Sequence, residues 1–365
     1  MLFGGVFGWA ATHYFSESAA FAGLRGQGWA VGVGLLLLLP VLYLIVVGVH
    51  ELGHVGAGLW RGFTFYGLTI GPFSWRPAAD GRIRTERNRN LNTAGGLAVM
   101  LPTDTPRLRQ DFMWFAAGGP LASLVLAVVL WAVATYALPT GVLSGIVLIA
   151  ALLSVAIFLV TILPFRSGGF ASDGMRILTF LRDSSTARAD LTALRAMAQL
   201  RAGRPHTDLP DAELAAAAAD PSVSEQQRVA MDYYRYYYAL AHGEVDRAAE
   251  LFGSVLDRID VFPAGTHGAF YLEQAVFEAR YRRDLPAARA ALERYTPGPL
   301  TEAVSVPLAT AAVADLAGDR ATLAAQLPLI EAGLDRMTDQ GRRRLVETWL
   351  AEWRAAAQPE GGAVR

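Results

Sequence analysis

Residues 35–54 read Leu35-Leu-Leu-Leu-Leu-Pro-Val-Leu-Tyr-Leu-Ile-Val-Val-Gly-Val-His50-Glu51-Leu52-Gly53-His54, an apolar run that ends in two histidines and a glutamate. Residues four apart lie on one face of a helix, so His50 and His54 can bind a single metal ion. Glu51 projects beside them, where its carboxylate can take a proton from a water molecule that the metal activates. The stretch therefore predicts a metal site at the end of a membrane span.

A simpler interpretation of the same stretch is that the three polar residues only end a transmembrane helix at the level of the lipid headgroups. Ionisable groups in or near an apolar span are costly, and such groups are functional by default. That cost favours the metal site over the simpler interpretation.

The composition is that of a membrane protein with a sizeable water-soluble part, because 53% of the residues are hydrophobic and the mean hydropathy is +0.30. A net charge of −1 provides no basic surface for nucleic acid, so we expect no nucleic-acid partner. The chain has no cysteine, which excludes disulfides and thiolate ligands. Only His, Asp and Glu remain as metal ligands.

Three apolar stretches are long enough to cross a hydrocarbon core of about 30 Å. The first runs over 28–49 and continues as helix towards Trp60, the second over 112–138 and the third over 142–163. A short turn joins the last two, which predicts an antiparallel pair. We interpret 1–27 as an N-terminal segment and 28–183 as a membrane-embedded core.

The connection between the first two spans carries a predicted β-hairpin. Residues 67–76 form the first predicted strand, residues 78–81 the Asp-Gly turn and residues 82–87 the partner strand. A further short strand is predicted over Leu97–Leu101. The hairpin is either a simple connector or an exposed edge that pairs with an unwound peptide.

A Gly-rich loop follows the third span and leads through Asp173-Gly174 into a short amphipathic helix. Asp173 has two candidate roles. It can cap the amino end of that helix, or it can be a third metal ligand beside the two histidines.

Residues 184–358 are Ala-rich and predicted to form a water-soluble helical domain, with 359–365 as a flexible tail. Three similar stretches begin at Tyr238, Glu278 and Ala312, and each predicts a helix, a turn and a second helix. Their spacing suggests degenerate tetratricopeptide-like repeats. The tyrosines of 233–238 are interpreted as packing residues, and three histidines without a partner at metal spacing are interpreted as structural or surface residues: His206, His242 and His267.

The core resembles the site-2 protease family of intramembrane zinc metalloproteases over residues 30–182. The His-Glu-x-x-His motif at 50–54 fits fully, and Gly119-Pro120 resembles the family's Gly-Pro-x-x-Asn with Ser123 in place of Asn. Leu163-Pro164 followed by Asp173-Gly174 resembles the family's Asn-x-x-Pro…Asp-Gly element, with Thr161 in place of Asn and a longer insertion. The resemblance implies one Zn²⁺ per chain bound by His50, His54 and Asp173, with Glu51 as the catalytic base.

The expected fold is mainly α, with about three transmembrane helices, a small membrane-associated β-hairpin and a soluble helical repeat domain. The expected function is intramembrane cleavage of a membrane protein's transmembrane segment, and the helical domain is expected to bind the substrate or a protein regulator. The alternative is a non-catalytic membrane-anchored scaffold with a structural metal site. A soluble-type metalloprotease tethered to the membrane is excluded, because its motif would lie within 184–365.

The orientation in the lipid bilayer is predicted from the arginines. The 61–111 connection carries eight Arg, whereas residues 1–27 carry one. By the positive-inside rule, the hairpin and the C-terminal domain are cytoplasmic and the N-terminus is outside. We therefore expect an integral protein of a bacterial cytoplasmic membrane.

Reporter fusions test this orientation. Fusions after residue 90 and at the C-terminus are expected to report a cytoplasmic location, and a fusion before residue 25 an external one. If the C-terminal and N-terminal fusions lie on the same side, the number of spans is even and residues 1–24 supply another.

Overall fold

The computed structural model describes residues 24, 28–77, 82–88, 95–167, 170–262, 264–298 and 301–357. The chain is mostly helical, at 73% of residues, and carries a small antiparallel sheet. The mainly α class is therefore confirmed. Apart from residue 24, the N-terminal segment 1–27 lies outside the described residues, and so do the 78–81 turn and the 359–365 tail.

Three helices are long and apolar enough to cross a membrane, as predicted. They are α1, Trp29–Trp60, α2, Leu108–Ala132, and α3, Val142–Ile162. The π-helical turn Val133–Ala137 extends α2 before the short connection to α3. At 1.5 Å per residue the 32 residues of α1 reach about 48 Å, which exceeds the thickness of about 30 Å of a hydrocarbon core. His50 lies in the C-terminal half of this helix.

The first two spans touch through glycines. A Cβ atom added to Gly53 would lie 2.5 Å from the Cβ of Ala122, and one added to Gly118 would lie 2.6 Å from the Cβ of Ala57. Both distances are far shorter than a van der Waals contact, so the absence of a side chain lets the two backbones meet. Small residues at helix contacts do this widely in membrane proteins.

The connection between α1 and α2 is a four-stranded antiparallel sheet in the order β3-β2-β1-β4. Its strands are β1, Thr64–Ile70, β2, Phe73–Pro77, β3, Ile83–Arg87, and β4, Leu97–Leu101. The β2–β3 pairing confirms the predicted hairpin, and β4 has its predicted bounds.

The single strand predicted over 67–76 is wrong, because a turn at Gly71 and Pro72 divides it into β1 and β2. Gly71 has φ of +55°, a conformation that costs other residues energy, and proline cannot continue a strand ladder. The turn packs against Leu44 of α1. The sheet therefore lies along the C-terminal half of the first span.

After α3 the chain forms a two-residue ladder of β5, Arg166–Ser167, and β6, Phe170–Ala171, and then a series of helices. The helices are α4, Asp173–Leu181, α5, Ser185–Arg201, α6, Asp211–Ala219, α7, Glu225–Ala241, α8, Val245–Asp257, α9, His267–Phe277, α10, Leu285–Glu293, α11, Ser305–Ala317, α12, Arg320–Gly333, and α13, Arg343–Ala357.

Each of the three similar stretches forms a helix, a turn and a second helix. They are α7 with α8, α9 with α10, and α11 with α12. A left-handed residue stands in each turn: Gly243, Arg283 and Gly318. The helix pairs are present, and their assignment as tetratricopeptide-like repeats stays a prediction.

The tyrosines and His206 are packing residues, in agreement with their interpretation from the sequence. Tyr236 is fully buried, stacks on Phe252 and donates a hydrogen bond of 2.9 Å to Glu273. His206 stacks on Tyr237, and its Nε2 lies 2.6 Å from a carboxylate oxygen of Asp339. These groups are satisfied within the helical domain.

The helical domain joins the core through its first long helix. Leu191 and Leu194 of α5 pack against a buried apolar cluster formed by Phe63, Met100, Leu108 and Phe115. This cluster includes the C-terminal end of β4 and the start of α2, so the domain rests on the elements that surround the metal-site motif.

Gly53→Ala is expected to lower the free energy of unfolding by about 1–3 kcal/mol, because its methyl group would be forced against α2. Gly56→Ala is the matched control on the same helix, since a Cβ there meets no atom within 4 Å. The control is expected to be neutral or slightly stabilising. Thermal unfolding in detergent compares the two, and equal midpoints would contradict the close packing.

Candidate metal centre

Three side chains converge at the inner side of α1. His50 Nε2 lies 3.3 Å from His54 Nε2, and Asp173 Oδ2 lies 3.3 Å from the first nitrogen and 3.4 Å from the second. Both histidines are buried, at 5% and 7% exposure. The sequence-predicted ligand set is thus brought together, and it is the group able to hold a metal ion among the described residues.

The size of this triangle fits a tetrahedral metal ion. Ligand atoms placed at about 2.0–2.1 Å from a tetrahedral centre are about 3.3–3.4 Å from one another. The three observed separations have this size. Two imidazole nitrogens and one carboxylate oxygen can therefore occupy three corners of a coordination tetrahedron.

Helix α2 fixes the orientation of the His54 ring. Its Nδ1 lies 2.8 Å from the backbone oxygen of Phe115. A carbonyl oxygen only accepts hydrogen bonds, so Nδ1 carries the proton and Nε2 presents a lone pair to the centre of the triangle. Such a hydrogen bond behind a metal-binding imidazole sets its tautomer.

The His50 ring is held by Ser123. Its Nδ1 lies 2.9 Å from the hydroxyl oxygen of Ser123, which is fully buried in α2. In turn Ser154 of α3 donates a hydrogen bond of 2.7 Å to the backbone oxygen of Ser123. When Nε2 is a ligand, Nδ1–H donates to the serine hydroxyl. All three spans therefore contribute to the position of this ring.

Gly119 allows α2 to approach the two imidazoles. A Cβ atom at this position would lie 2.7 Å from His50 Nε2 and closer still to His54 Nε2. Any side chain here would thus occupy the space between the ligand atoms. This contact gives the Gly119-Pro120 pattern a physical reason that is independent of the resemblance.

Glu51 lies beside the triangle and is 8% exposed. The backbone amide of Ala98 in β4 donates a hydrogen bond to its carboxylate. A Cβ at Gly96 would lie 2.5 Å from Glu51 Oε1, and the φ of Gly96 is +119°. Gly96 therefore lets the start of β4 pass directly over the carboxylate.

The capping role that was open for Asp173 belongs to Ser172. The hydroxyl of Ser172 accepts a hydrogen bond from the amide of Met175 and donates one of 2.6 Å to the backbone oxygen of Leu163. Asp173 is the first residue of α4, and its carboxylate is free to point at the histidines. Burial opposes its ionisation, but the neighbouring His50 and His54 outweigh burial and hold the pKa of Asp173 well below its usual range.

The two departures from the family pattern differ in their surroundings. Ser123 contacts a ligand, whereas among the described residues the Thr161 hydroxyl donates a hydrogen bond to the backbone oxygen of Phe158, at 3.4 Å within its own helix. Sequence reasoning missed both the Ser123–His50 contact and the passage of β4 over Glu51. The Gly95-Gly96 pair before β4 was the available signal for that passage.

The triangle opens into a cavity of about 580 Å³. The three ligands and Glu51 lie at one side, residues 95–98 of the β4 edge at another, and α3 contributes an apolar wall that includes Leu153 and Ile157. A chain segment can therefore lie against both a strand edge and the metal ligands.

No family model, curated protein or solved structure matches the chain. The assignment of the candidate metal centre therefore depends on the geometry of its residues, and the resemblance to the site-2 proteases stays a prediction.

Asp173→Ala is expected to abolish metal binding, because it removes one corner of the triangle. Purified wild-type protein is expected to hold about one metal ion per chain. Ser172→Ala is expected to retain the metal and to lose about 1 kcal/mol of local stability. Mass spectrometry compares the metal content of the two variants with that of the wild type. Asp183→Ala, at an exposed position, is the matched control. Full metal content in Asp173→Ala would contradict this ligand.

Proposed function

We propose that the chain is an intramembrane zinc endopeptidase that cuts a transmembrane segment of another membrane protein near the cytoplasmic face. The observation that carries this proposal is a metal-sized triangle of His50, His54 and Asp173 with Glu51 buried beside it. The triangle lies among three helices that are apolar enough to span a membrane.

The donor set fits zinc. Zinc accepts imidazole nitrogens and a carboxylate oxygen in a tetrahedron, and a catalytic site has three protein ligands and one open position. When bound, zinc acts as a Lewis acid that polarises a peptide carbonyl and lowers the pKa of a water molecule to about 7. The described residues offer three ligands, all of which line the cavity, so a bound zinc ion would keep one position for water or substrate.

Glu51 provides the acid–base chemistry. Its carboxylate lies next to the triangle, where it accepts a proton from the water that attacks the scissile carbonyl. The same oxygen then returns this proton to the amide nitrogen of the leaving peptide. The Ala98 amide fixes the carboxylate on one side, and the two imidazoles, each held from behind, keep their ligand atoms turned towards the reacting bond.

The substrate must unwind before it is cut, since a helix hides its carbonyls in internal hydrogen bonds. Strand β4 supports an unwound segment. One edge of β4 pairs with β1, and within the described sheet the other edge has no partner strand. The residues that begin β4 line the same cavity as Glu51, so a peptide that adds to this edge lies beside the reacting groups.

The scaffold alternative is less consistent with the site. A purely structural zinc site has four protein ligands and needs no base. Here a carboxylate that is not a ligand is buried beside three ligands, and the site opens into a large cavity. Burying such a carboxylate without a chemical role would only cost stability.

Co-expression with candidate single-span membrane proteins tests the proposal. Glu51→Gln is expected to lower the cleavage rate by about 10²–10⁴-fold, since amide nitrogen and oxygen cannot act as the base. The variant retains all three ligands and is expected to bind zinc like the wild type. Glu250→Gln, at an exposed position of α8, is the matched control.

Two results would contradict the proposal. One is unchanged cleavage by the Glu51→Gln variant, and the other is unchanged cleavage after His50→Ala and His54→Ala have removed the metal. Either result would assign the hydrolysis to another protein in the expressing cell.

A further inference from the structure

A second cavity, of about 280 Å³, lies where the core meets the helical domain. Arg166 and Arg176 line it from the core side, and Asp190 and Gln227 line it from α5 and α7. Its remaining wall is mostly apolar and includes Phe112 and Phe180. The cavity thus combines aromatic surface with two guanidinium groups.

These two arginines differ in their ion pairing from many arginines of the helical domain. Arg235, Arg258 and Arg342 each lie within ion-pair distance of a carboxylate. None of the ion pairs among the described residues includes Arg166 or Arg176, although both arginines act electrostatically on the carboxylate of Asp190. The charged residues that line this cavity are thus two arginines and one aspartate.

The carboxylate of Asp190 accepts a hydrogen bond from the side-chain amide of Gln227, and no ion pair among the described residues joins it to either arginine. The Arg176 guanidinium lies 6.0 Å from the ring centre of Phe112. Its Nε donates a hydrogen bond of 3.4 Å to the backbone oxygen of Ala171. A guanidinium carries five N–H donors, so both arginines keep donor groups for a ligand, and a guanidinium fork matches a carboxylate in geometry and charge.

The second cavity adjoins the metal cavity. Arg176 and Ala171 line both of them. Asp173 and Arg176 are three residues apart on α4 and so lie on the same face of that helix. A chain that leaves the metal ligands along α4 meets the Arg176 guanidinium within about one helical turn.

We infer that the second cavity binds an acidic side chain of the substrate, located a few residues to the cytoplasmic side of the scissile bond. This inference rests on the proposed function and adds a substrate class to it: membrane proteins with Asp or Glu just beyond the cleaved segment. The apolar wall contacts the methylene groups of that side chain, and Arg166 and Arg176 bind its carboxylate.

The test measures peptide binding, which needs no cleavage. The full-length Glu51→Gln protein in neutral detergent is titrated with a short fluorescein-labelled peptide of Val, Ala and Gly that carries one Glu. The Glu is moved one position at a time, and each peptide has a Gln counterpart. At the best position the Glu peptide is expected to bind about tenfold more tightly than its Gln counterpart, because a charge-assisted hydrogen bond exceeds a neutral one by this order.

Arg166→Ala and the Arg166→Ala, Arg176→Ala double variant are expected to lose this preference while Gln peptides bind as before. Arg182→Ala is the matched control, since Arg182 is exposed at the end of α4 and does not line the second cavity. Metal content is measured on every variant, because Arg176 is close to a ligand. Arg166 lies on β5, so the effect of Arg166→Ala on peptide binding is separate from any change in α4.

Several outcomes would overturn the inference. They are equal binding of Glu and Gln peptides at every position, no peptide binding at all, or a Glu preference that survives in the double variant. If free glutarate displaces the Glu peptide as effectively as the unlabelled Glu peptide does, the cavity is a small-molecule site instead. A Glu preference in a protein that cleaves no substrate would leave the acid-binding cavity standing and refute only the proposed function.

Discussion

Two imidazoles and a carboxylate are buried in the C-terminal half of an apolar helix, and burial without partners would cost each of them several kcal/mol. The surrounding elements supply those partners. Phe115 and Ser123 of α2 hold the two rings from behind, and the start of β4 covers Glu51 with a backbone amide. Helix α2 and strand β4 therefore make it possible to bury these polar groups.

Features that depend on near neighbours could be predicted from the sequence. The histidine pair is one helical turn apart, the spans follow from unbroken apolar runs, and Leu97–Leu101 is a short strand between polar segments. The division of the first strand at Gly71 could also have been predicted, because a Gly-Pro pair is itself a turn signal.

Contacts between distant parts of the chain could not be predicted from residue types alone. Ser123 and His50 are 73 positions apart, and a serine in an apolar helix has many equally plausible partners. Asp173 joined the ligand set through a family pattern, and its local sequence fitted a helix cap just as well. Only the three-dimensional arrangement shows that Ser172 caps the helix and leaves the aspartate available.

The distribution of the ligands along the chain has a consequence for biosynthesis. His50 and His54 leave the ribosome early, whereas Asp173 follows only after two more spans have been made. A nascent chain that holds only α1 therefore has two of the three groups of the candidate metal centre. The third group arrives only when α4 folds back against α1, so the order of synthesis itself delays completion of the candidate metal centre.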